Sequence, residues 1–188
     1  RIVTMVYAGW INKSIVAELQ GLSCNAFGLT GPDGGIVLSK KRAAEPIDYG
    51  FVGDIVSVNA AAISGLISAG SSPIFAPITA DVSGQLLNTN ADTMAQALAI
   101  ALSTSYQVTL TYCFEKKGVL LDPEDDESVI SSINPASFQE LKDKGIVSAG
   151  MIPKLENALK AISAGVSLVR LCHAENLQKT NIGTKISA

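Results

Sequence analysis

The stretch from residue 73 to residue 102 constrains the fold of this chain more than any other. Its first part, 73–78, is an apolar run with the composition of a buried strand. Its last part, 93–102, is rich in alanine and leucine and contains no helix breaker, so it predicts a helix. A polar turn at 83–92 joins the two, and in open α/β sheets ligands bind at such turns, beyond the carboxyl ends of strands. The sequence therefore favours an α/β fold with a functional site at this turn.

Two amides and one carboxylate lie close together in the turn, at Asn88, Asn90 and Asp92. Asn90 is a good N-cap for the helix, and the helix dipole favours a carboxylate such as Asp92 in the first turn. Capping explains these two residues but gives no role to Asn88. From the residues alone a structural role for the turn is the more frequent explanation, since capping is far commoner than catalysis.

The residues Gln-Leu-Leu-Asn-Thr-Asn-Ala-Asp at 85–92, followed by the alanine-rich helix, resemble the signature of the acetylglutamate kinases, which belong to the amino acid kinase superfamily. Matches to Gly-x-Val-Gly at 50–53 and to Gly-x-x-x-Lys at 150–154 extend the resemblance. It implies that Asn88 binds the acylated amino acid. It also implies that Asp92 organises the catalytic lysines around the transferring phosphoryl group.

Lys154 lies in the first turn of a predicted helix at 154–164, where a cation opposes the helix dipole by about 0.3–1 kcal/mol. An anion bound at the same helix start would make this charge favourable. The residues alone leave open a second possibility, in which the lysine points into solvent. The resemblance implies the first, and identifies Lys154 as the lysine that neutralises charge on the phosphoryl group in transit.

A run of β-forming residues at 106–114 predicts a buried strand, which residues 115–123 would continue. In the resembling family, the turn after this strand binds the nucleotide. Gly118, Val119 and Leu120 fit the family's pattern, whereas the three residues before them depart from it. The resemblance implies an ATP site made by two segments: Glu115, Lys116, Lys117, Gly118, Val119 and Leu120 in the first, and Ile146, Val147 and Ser148 in the second.

Strand-like runs alternate with helical stripes along the chain, which predicts a three-layer α/β/α sandwich around a mostly parallel open sheet. We expect helices at 2–20, 60–69, 91–102, 136–144 and 154–164. Residues 1–102 are expected to belong to the lobe that binds the N-acyl amino acid. Residues 103–188 are expected to form the ATP-binding lobe.

Two strand pairings are also expected. Turn residues between the strands at 23–29 and 36–39 predict a hairpin. The strands at 52–58 and 73–78 are separated by a predicted helix, so a parallel pair with a right-handed crossover is expected.

The composition excludes several classes of function. A net charge of −3 gives no broad electrostatic reason to bind nucleic acid or an anionic membrane. No apolar stretch approaches the roughly 20 residues needed to cross a bilayer, and the first residues lack the features of a signal peptide. Cys24, Cys113 and Cys172 are far apart and lack metal-ligand spacing, so three buried, reduced thiols in a cytoplasmic protein are expected.

Three further features are expected to be structural. The acidic run at 124–127 lies in a proline-flanked loop without a second set of ligands, so a solvated turn is expected rather than a metal site. His173, the only histidine, is more often structural than catalytic in such a setting. Asn12 and Lys13 belong to a Gly-x-x-Asn-Lys match and are expected to serve packing or a surface contact. No residue is therefore predicted to bind a metal directly.

The resemblance implies an ATP-dependent kinase of arginine biosynthesis that phosphorylates the side-chain carboxylate of N-acetyl-L-glutamate or a related N-acylglutamate. Mg²⁺ would bridge the phosphates with few protein ligands, and a cytoplasmic homo-oligomer is expected. Two alternatives remain: another kinase of the superfamily, of the glutamate, aspartate or carbamate type, and a non-catalytic regulatory homologue. The family's first catalytic lysine, its glycine-rich loop and its substrate-binding arginine have no counterpart in residues 1–188, so a longer protein is expected.

Overall fold

The structure is a computed structural model, and it describes residues 1–147 and 150–188. The chain divides into two units, Arg1–Ala101 and Leu102–Ala188, each with its own strands and helices. Parallel and antiparallel strand pairs occur in both units. The predicted α/β class is therefore confirmed.

The first unit begins with a long helix, α1, whose middle part is wound more widely than an α-helix. Three consecutive segments form it: Ile2–Thr4, the π-helical Met5–Ile11, and Asn12–Gly21. The predicted helix at 2–20 is confirmed. Asn12 is buried and donates a hydrogen bond from Nδ2 to the Ile74 carbonyl at 2.8 Å. Lys13 donates from Nζ to the Gly28 carbonyl at 3.0 Å, so both polar residues attach the helix to neighbouring strands.

Short strands and helices make up the rest of this unit. The strands are β1 (Ala26–Leu29), β2 (Val37–Lys41), β3 (Gly53–Val58), β4 (Ser72–Phe75), β5 (Ile78–Ala80) and β6 (Leu86–Asn88). The helices are α2 (Ala60–Ser68) and α3 (Ala91–Leu102), at the predicted positions. β1 pairs with β4 in parallel, and the other strands form a sheet in the order β3-β2-β5-β6.

The hairpin predicted between 23–29 and 36–39 is wrong, because β1 and β2 belong to different sheets. The turn between them is closed locally. The Asp33 carboxylate accepts hydrogen bonds from the backbone N–H and the hydroxyl of Thr30, both at 2.7 Å. After this turn the chain enters β2, which pairs with β3 and β5 instead.

The strand predicted at 73–78 is in fact two strands, β4 and β5, in different sheets. Pro77 separates them, because it has no N–H to donate to a strand ladder. The parallel pair expected between 52–58 and 73–78 is not formed, since β3 pairs antiparallel with β2 and β4 pairs with β1. The Pro77 carbonyl accepts a hydrogen bond from the backbone N–H of Thr89 at 3.0 Å, which links the break to the polar turn.

The second unit contains a sheet with strands in the order β7-β9-β10-β8. Its elements are β7 (Thr109–Phe114), β8 (Ser132–Ile133), α4 (Pro135–Asp143), α5 (Ile152–Ser163), β9 (Leu168–His173) and β10 (Thr184–Ile186). β7 and β9 run parallel, and α5 packs against β9. Leu155, Ala158 and Ala161 on α5 have no exposed surface, so this helix face forms the core of the unit.

Helix boundaries in this unit follow the local signals closely. Asn134 and Ser137 form a capping box at the start of α4. α5 begins at Ile152, two residues before the expected start at Lys154. The expected continuation of β7 through 115–123 is wrong, because the chain there forms a loop that turns at Gly118 and buries Val119.

Candidate active site

The polar turn predicted to bind substrate joins β6 to α3. Asn90 caps the helix: its Oδ1 accepts hydrogen bonds from the backbone N–H of Thr93 at 2.9 Å and from the Thr93 hydroxyl at 3.2 Å. The Asn88 side chain is exposed, and no hydrogen bond occupies it within the described part of the chain. Asn88 is therefore available to a ligand, whereas Asn90 is engaged in the helix start.

Residues 50–53 support this turn from one side. The backbone N–H of Asn88 donates to the Phe51 carbonyl at 2.8 Å, and Val52 forms a β-bridge with Asn88. Gly50 has a φ of +69°, a left-handed conformation that glycine adopts without strain. The Gly-x-Val-Gly segment thus contacts the turn directly.

Gly53 lies against the strands beneath the turn. A Cβ atom at this position would lie 2.9 Å from the Cβ of Leu87 and equally close to the hydroxyls of Thr79 and Thr89, so glycine is required. The two hydroxyls are 2.8 Å apart, and the Thr89 hydroxyl also donates to the Gly53 carbonyl at 3.4 Å. Thr79 and Thr89 are 0% and 3% exposed, so this pair satisfies polar groups that solvent cannot reach.

This threonine pair is not predicted from the sequence. Its one local signal is the alternation along the turn, because Asn88 and Asn90 are exposed and the residue between them, Thr89, is buried. The partner, Thr79, is ten residues away on β5, which pairs with β2 and β6 and not with the predicted strand. The pair fixes the turn to β5 and so positions Asn88.

Asp92 lies in the first turn of α3 and is half-buried. A carboxylate is favourable at this end of a helix. Because Asn90 already supplies the cap, the helix start does not need Asp92 for that purpose.

A cleft of about 150 Å³ lies in the second unit, bordered by the loop after β7 and by the segment before α5. Six of the predicted ATP-binding residues line it: Lys116, Gly118, Val119, Leu120, Ile146 and Val147. Phe114 and Met151 also contribute to its walls. The structure therefore brings the two predicted segments together around one space with largely apolar walls.

Glu115 and Lys117 are the described members of the predicted set that do not line the cleft. The Lys117 ammonium forms an ion pair with Glu127 instead. Ser148, the remaining predicted residue, lies outside the described residues.

The loop after β7 is fixed by a tight contact with β10. A Cβ atom at Gly118 would lie 2.7 Å from Val129 Cγ1 and 2.8 Å from the Thr184 hydroxyl oxygen. That hydroxyl oxygen accepts a hydrogen bond from the backbone N–H of Val119 at 2.7 Å, and Thr184 is 0% exposed. Thr184 is thus a second buried positioning residue without a local sequence signal.

The acidic run at 124–127 supports the same loop by ion pairs. Lys116 Nζ lies 2.8 Å from Asp126 Oδ1, and this hydrogen bond lowers the pKa of the Asp126 carboxyl and raises the pKa of Lys116. Both side chains are exposed, so solvent screens the pair. Among the described residues, no group of three or more His, Cys, Asp and Glu side chains could hold a metal ion.

Lys154 is the third residue of α5 and is half-buried. Its Nζ lies 5.9 Å from the centre of the Tyr112 ring, within the range of a cation–π contact. Tyr112 lies on β7 and is 7% exposed. The helix start therefore holds the ammonium close to the sheet, which favours a role in a site over the solvent-facing alternative.

The three cysteines are free, but only Cys172 is buried, so the expectation of three buried thiols is wrong. Cys113 is exposed because β7 is the edge strand of its sheet. His173 accepts a hydrogen bond at Nδ1 from the backbone N–H of Glu175 at 3.3 Å and so caps a short 3-10 turn. No helix in the described part of the chain is long and apolar enough to cross a membrane.

Comparison with known proteins gives concordant matches. The model of the amino acid kinase family matches residues 1–173. An acetylglutamate kinase of Cytophaga hutchinsonii is 54% identical over 194 residues, covering 100% of this chain and 74% of that protein. An acetylglutamate kinase of Bacteroides fragilis is 53% identical, covering 99% of this chain and 71% of that protein. The crystal structure of smu.665 from Streptococcus mutans shares the fold with a TM-score of 0.82 at 29% identity, covering 98% of this chain and 70% of that one.

Proposed function

This chain belongs to the amino acid kinase family and, within it, to the acetylglutamate kinases, and from that premise we propose how its residues carry out the reaction. The reaction is the ATP-dependent phosphorylation of the side-chain carboxylate of N-acetyl-L-glutamate to an acyl phosphate, in arginine biosynthesis. Phosphoryl transfer depends mostly on positioning and charge stabilisation, with little covalent chemistry for the protein. The residues of the site therefore have two tasks: some position the substrates, and others neutralise the charge on the phosphoryl group.

The observation that carries the proposal is the cleft of the second unit, where two separate segments meet around a largely apolar space. Val119, Leu120 and Val147 are buried there and offer apolar walls suited to a nucleotide base. Lys116 lines the same cleft, and its ammonium would turn from the exposed Asp126 carboxylate to the phosphates when the nucleotide binds. Residues 103–188 accordingly act as the ATP-binding lobe.

Lys154 neutralises charge on the oxygens of the phosphoryl group during transfer. Its place in the first turn of α5 supports this role, because the helix N-terminus and the ammonium both stabilise an anion. Asp92 orients the catalytic lysines, as the family resemblance implies, and Asn90 supplies a side-chain cap at the start of α3.

Asn88 binds the N-acylglutamate. Its carboxamide is exposed, and its backbone is fixed on two sides, by Phe51 and by the strand pair with Ile78. A carboxamide can both donate and accept hydrogen bonds, which matches the amide and the α-carboxylate of the substrate. Residues 1–102 accordingly belong to the lobe that binds the amino acid.

Mg²⁺ enters as part of the substrate, bound to the phosphates of ATP. Lys116 lines the cleft and no carboxylate does so among the described residues, which fits a metal carried by the nucleotide and bound by few protein ligands. The chemistry that it supplies is charge neutralisation between the phosphates.

A homo-oligomer is the proposed assembly, and the cytoplasm is the proposed location. Ile2, Met5 and Trp10 on α1 are 76%, 70% and 75% exposed, an unusual amount of apolar surface on one helix. Burial of this surface against a second copy would remove it from water. The free thiols fit a reducing compartment.

Turnover by the purified full-length protein tests the function. ADP release is measured with ATP and N-acetyl-L-glutamate, and hydroxylamine traps the acyl phosphate. We expect turnover with the N-acylated substrate and none with free glutamate, aspartate or carbamate. Equal turnover with free glutamate would contradict the proposal, and turnover only with a different N-acylglutamate would keep the reaction and revise the acyl group.

A further inference from the structure

Two cysteines lie side by side on neighbouring strands in the second unit. Cys113 on β7 and Cys172 on β9 are direct partners in the parallel pair. Neighbouring strands are about 4.8 Å apart, and paired residues project from the same face of the sheet. Both thiols are free, so the fold creates a dithiol from residues far apart in sequence.

The two thiols have different environments. Cys113 is exposed on the edge strand, whereas Cys172 is 0% exposed. Burial raises the pKa of the Cys172 thiol, the Arg170 guanidinium acts in the opposite direction, and Cys113 adds to the rise. A reagent in solution therefore reaches Cys113 first, while Cys172 stays protonated beside it.

We propose that Cys113 and Cys172 form a modification site that a hydroperoxide converts into a cross-strand disulfide. The Cys113 thiolate attacks the terminal peroxide oxygen, the O–O bond breaks, and the sulfur becomes a sulfenic acid, while hydroxide (alkoxide from an organic hydroperoxide) leaves and takes up the proton that the Cys113 thiol released. The Cys172 sulfur then attacks the sulfenic sulfur. The S–O bond breaks, and the departing hydroxyl leaves as water with the Cys172 proton. Two thiols lose two electrons, and one peroxide is reduced.

The backbone geometry permits this bond. Disulfides join residues whose Cα atoms are roughly 4.4–6.8 Å apart, and the spacing of about 4.8 Å between neighbouring strands falls within that range. Cys24 offers a contrast, because it lies outside the strands, between α1 and β1, and has no cysteine as a strand partner.

The dithiol adjoins the proposed nucleotide cleft. Phe114, the residue after Cys113, lines the cleft, and its strand partner is His173, the residue after Cys172. An S–S bond would fix Cys113 to Cys172 and so constrain Phe114, the next residue of β7, which lines the cleft. On the basis of the proposed function, the disulfide weakens ATP binding.

Oxidation of the full-length Cys24→Ser protein tests the site, because this variant keeps the pair and removes the third thiol. The protein is treated with hydrogen peroxide, unfolded, alkylated with N-ethylmaleimide and mapped by mass spectrometry. We expect the peptides of Cys113 and Cys172 to be linked, and dithiothreitol to release them. The further variants Cys113→Ser and Cys172→Ala, in the same background, should form no link within the chain.

Two results would contradict the proposed modification site. In the first, Cys113 carries a sulfinic acid while Cys172 is alkylated and so was a free thiol. In the second, both residues are fully alkylated after peroxide treatment. Cys113→Ser is the more informative control, because Cys113 is exposed and its replacement should not disturb folding.

Titration of a non-hydrolysable ATP analogue into the oxidised and reduced Cys24→Ser protein tests the link to the cleft. We expect a several-fold loss of affinity that dithiothreitol reverses, and equal affinities would refute that link. If neither form binds the analogue, the proposed function fails, whereas the linked peptides still establish the site.

Discussion

The hydroxyl of Thr79 lies 2.8 Å from the hydroxyl of Thr89, and this bond joins β5 to the turn that carries Asn88. Thr89→Val keeps the shape of the side chain but leaves the Thr79 hydroxyl buried without this partner. We expect the free energy of unfolding to fall by about 1–3 kcal/mol, as measured by urea denaturation. Thr79→Val combined with Thr89→Val removes both hydroxyls and should recover part of the loss. A double variant as unstable as the sum of the two single variants would show that the pair does not act as a unit.

Asp92 and Asn90 should respond to substitution in opposite ways. Asp92→Asn removes the charge that is proposed to orient the lysines, so turnover should fall by several orders of magnitude, while the fold loses at most about 1 kcal/mol. Asn90→Ala removes the cap and should cost about 1 kcal/mol of stability with a much smaller effect on turnover. Turnover with ATP and N-acetyl-L-glutamate is measured beside a thermal melt. Near-normal turnover of a folded Asp92→Asn enzyme would assign Asp92 to the helix start alone.

Lys154→Met tests the charge at the start of α5. Methionine retains an unbranched apolar chain over Tyr112 but removes the ammonium, so kcat should fall by about 10²–10³-fold. Lys160→Met in the last turn of the same helix is the matched control, because Lys160 is exposed and far along the helix from the proposed site. Equal kcat values for the two variants would exclude Lys154 from the site.

Gly118→Ala should disturb both the fold and the nucleotide site. The new Cβ would lie 2.7 Å from Val129 Cγ1 and 3.1 Å from the backbone nitrogen of Thr184, and backbone cannot move aside cheaply. We expect a loss of about 1–3 kcal/mol of stability and weaker binding of an ATP analogue. Gly65→Ala is the control: it lies within α2 with no atom within 4 Å of the new Cβ, and should gain up to about 1 kcal/mol. A Gly118→Ala protein as stable as the parent would mean that the loop after β7 relaxes freely.

Asp54 should contribute a small pH dependence to stability. The Arg42 guanidinium hydrogen bonds to Asp54 at 2.6 Å and holds the pKa of that carboxyl below its ordinary value. A carboxyl with a lower pKa in the folded chain stabilises the fold above the unfolded-state pKa of about 3.9, and this stabilisation is lost as the pH falls through the folded-state pKa. Both side chains are more than one third exposed, so the effect should stay below about 1 kcal/mol. Melting temperatures of the parent and Asp54→Asn should therefore differ at pH 7 and converge toward pH 3, and a constant difference would exclude this titration.

The helices are predictable from the sequence because their signals are local. Asn59, Asn90 and Asn134 each cap the helix that follows, and each capping hydrogen bond spans three residues. The strand partners are not predictable in the same way. No sequence feature of β1 indicates that its partner is β4. Pro77 divides into two strands a run whose apolar composition is otherwise continuous.

The residues of the candidate site also fall into two groups, those with a local sequence signal and those without one. Asn88, Asp92 and Lys154 stand in short motifs, so a family resemblance assigns roles to them. Thr79 and Thr184 do not, because each acts through a hydrogen bond to a residue 10 or 65 positions away in the chain. Buried hydroxyls of this kind require the tertiary structure before their partners can be named.

The π-helical segment Met5–Ile11 determines which way the first residues of the chain face. Asn12 and Lys13 hold the following part of α1 to β4 and β1, so the phase of the helix is fixed at that end. A π-turn accommodates an additional residue compared with an α-turn, and each residue of an α-helix corresponds to about 100° of rotation. Because the wider turn takes up the additional residue, deleting one residue within 5–11 would restore α-helical winding and leave Ile2 facing nearly the same side, whereas α-helical winding of all seven residues would rotate it away. The winding of this segment, and not only the identity of its residues, therefore sets the direction of the exposed apolar side chains before Asn12.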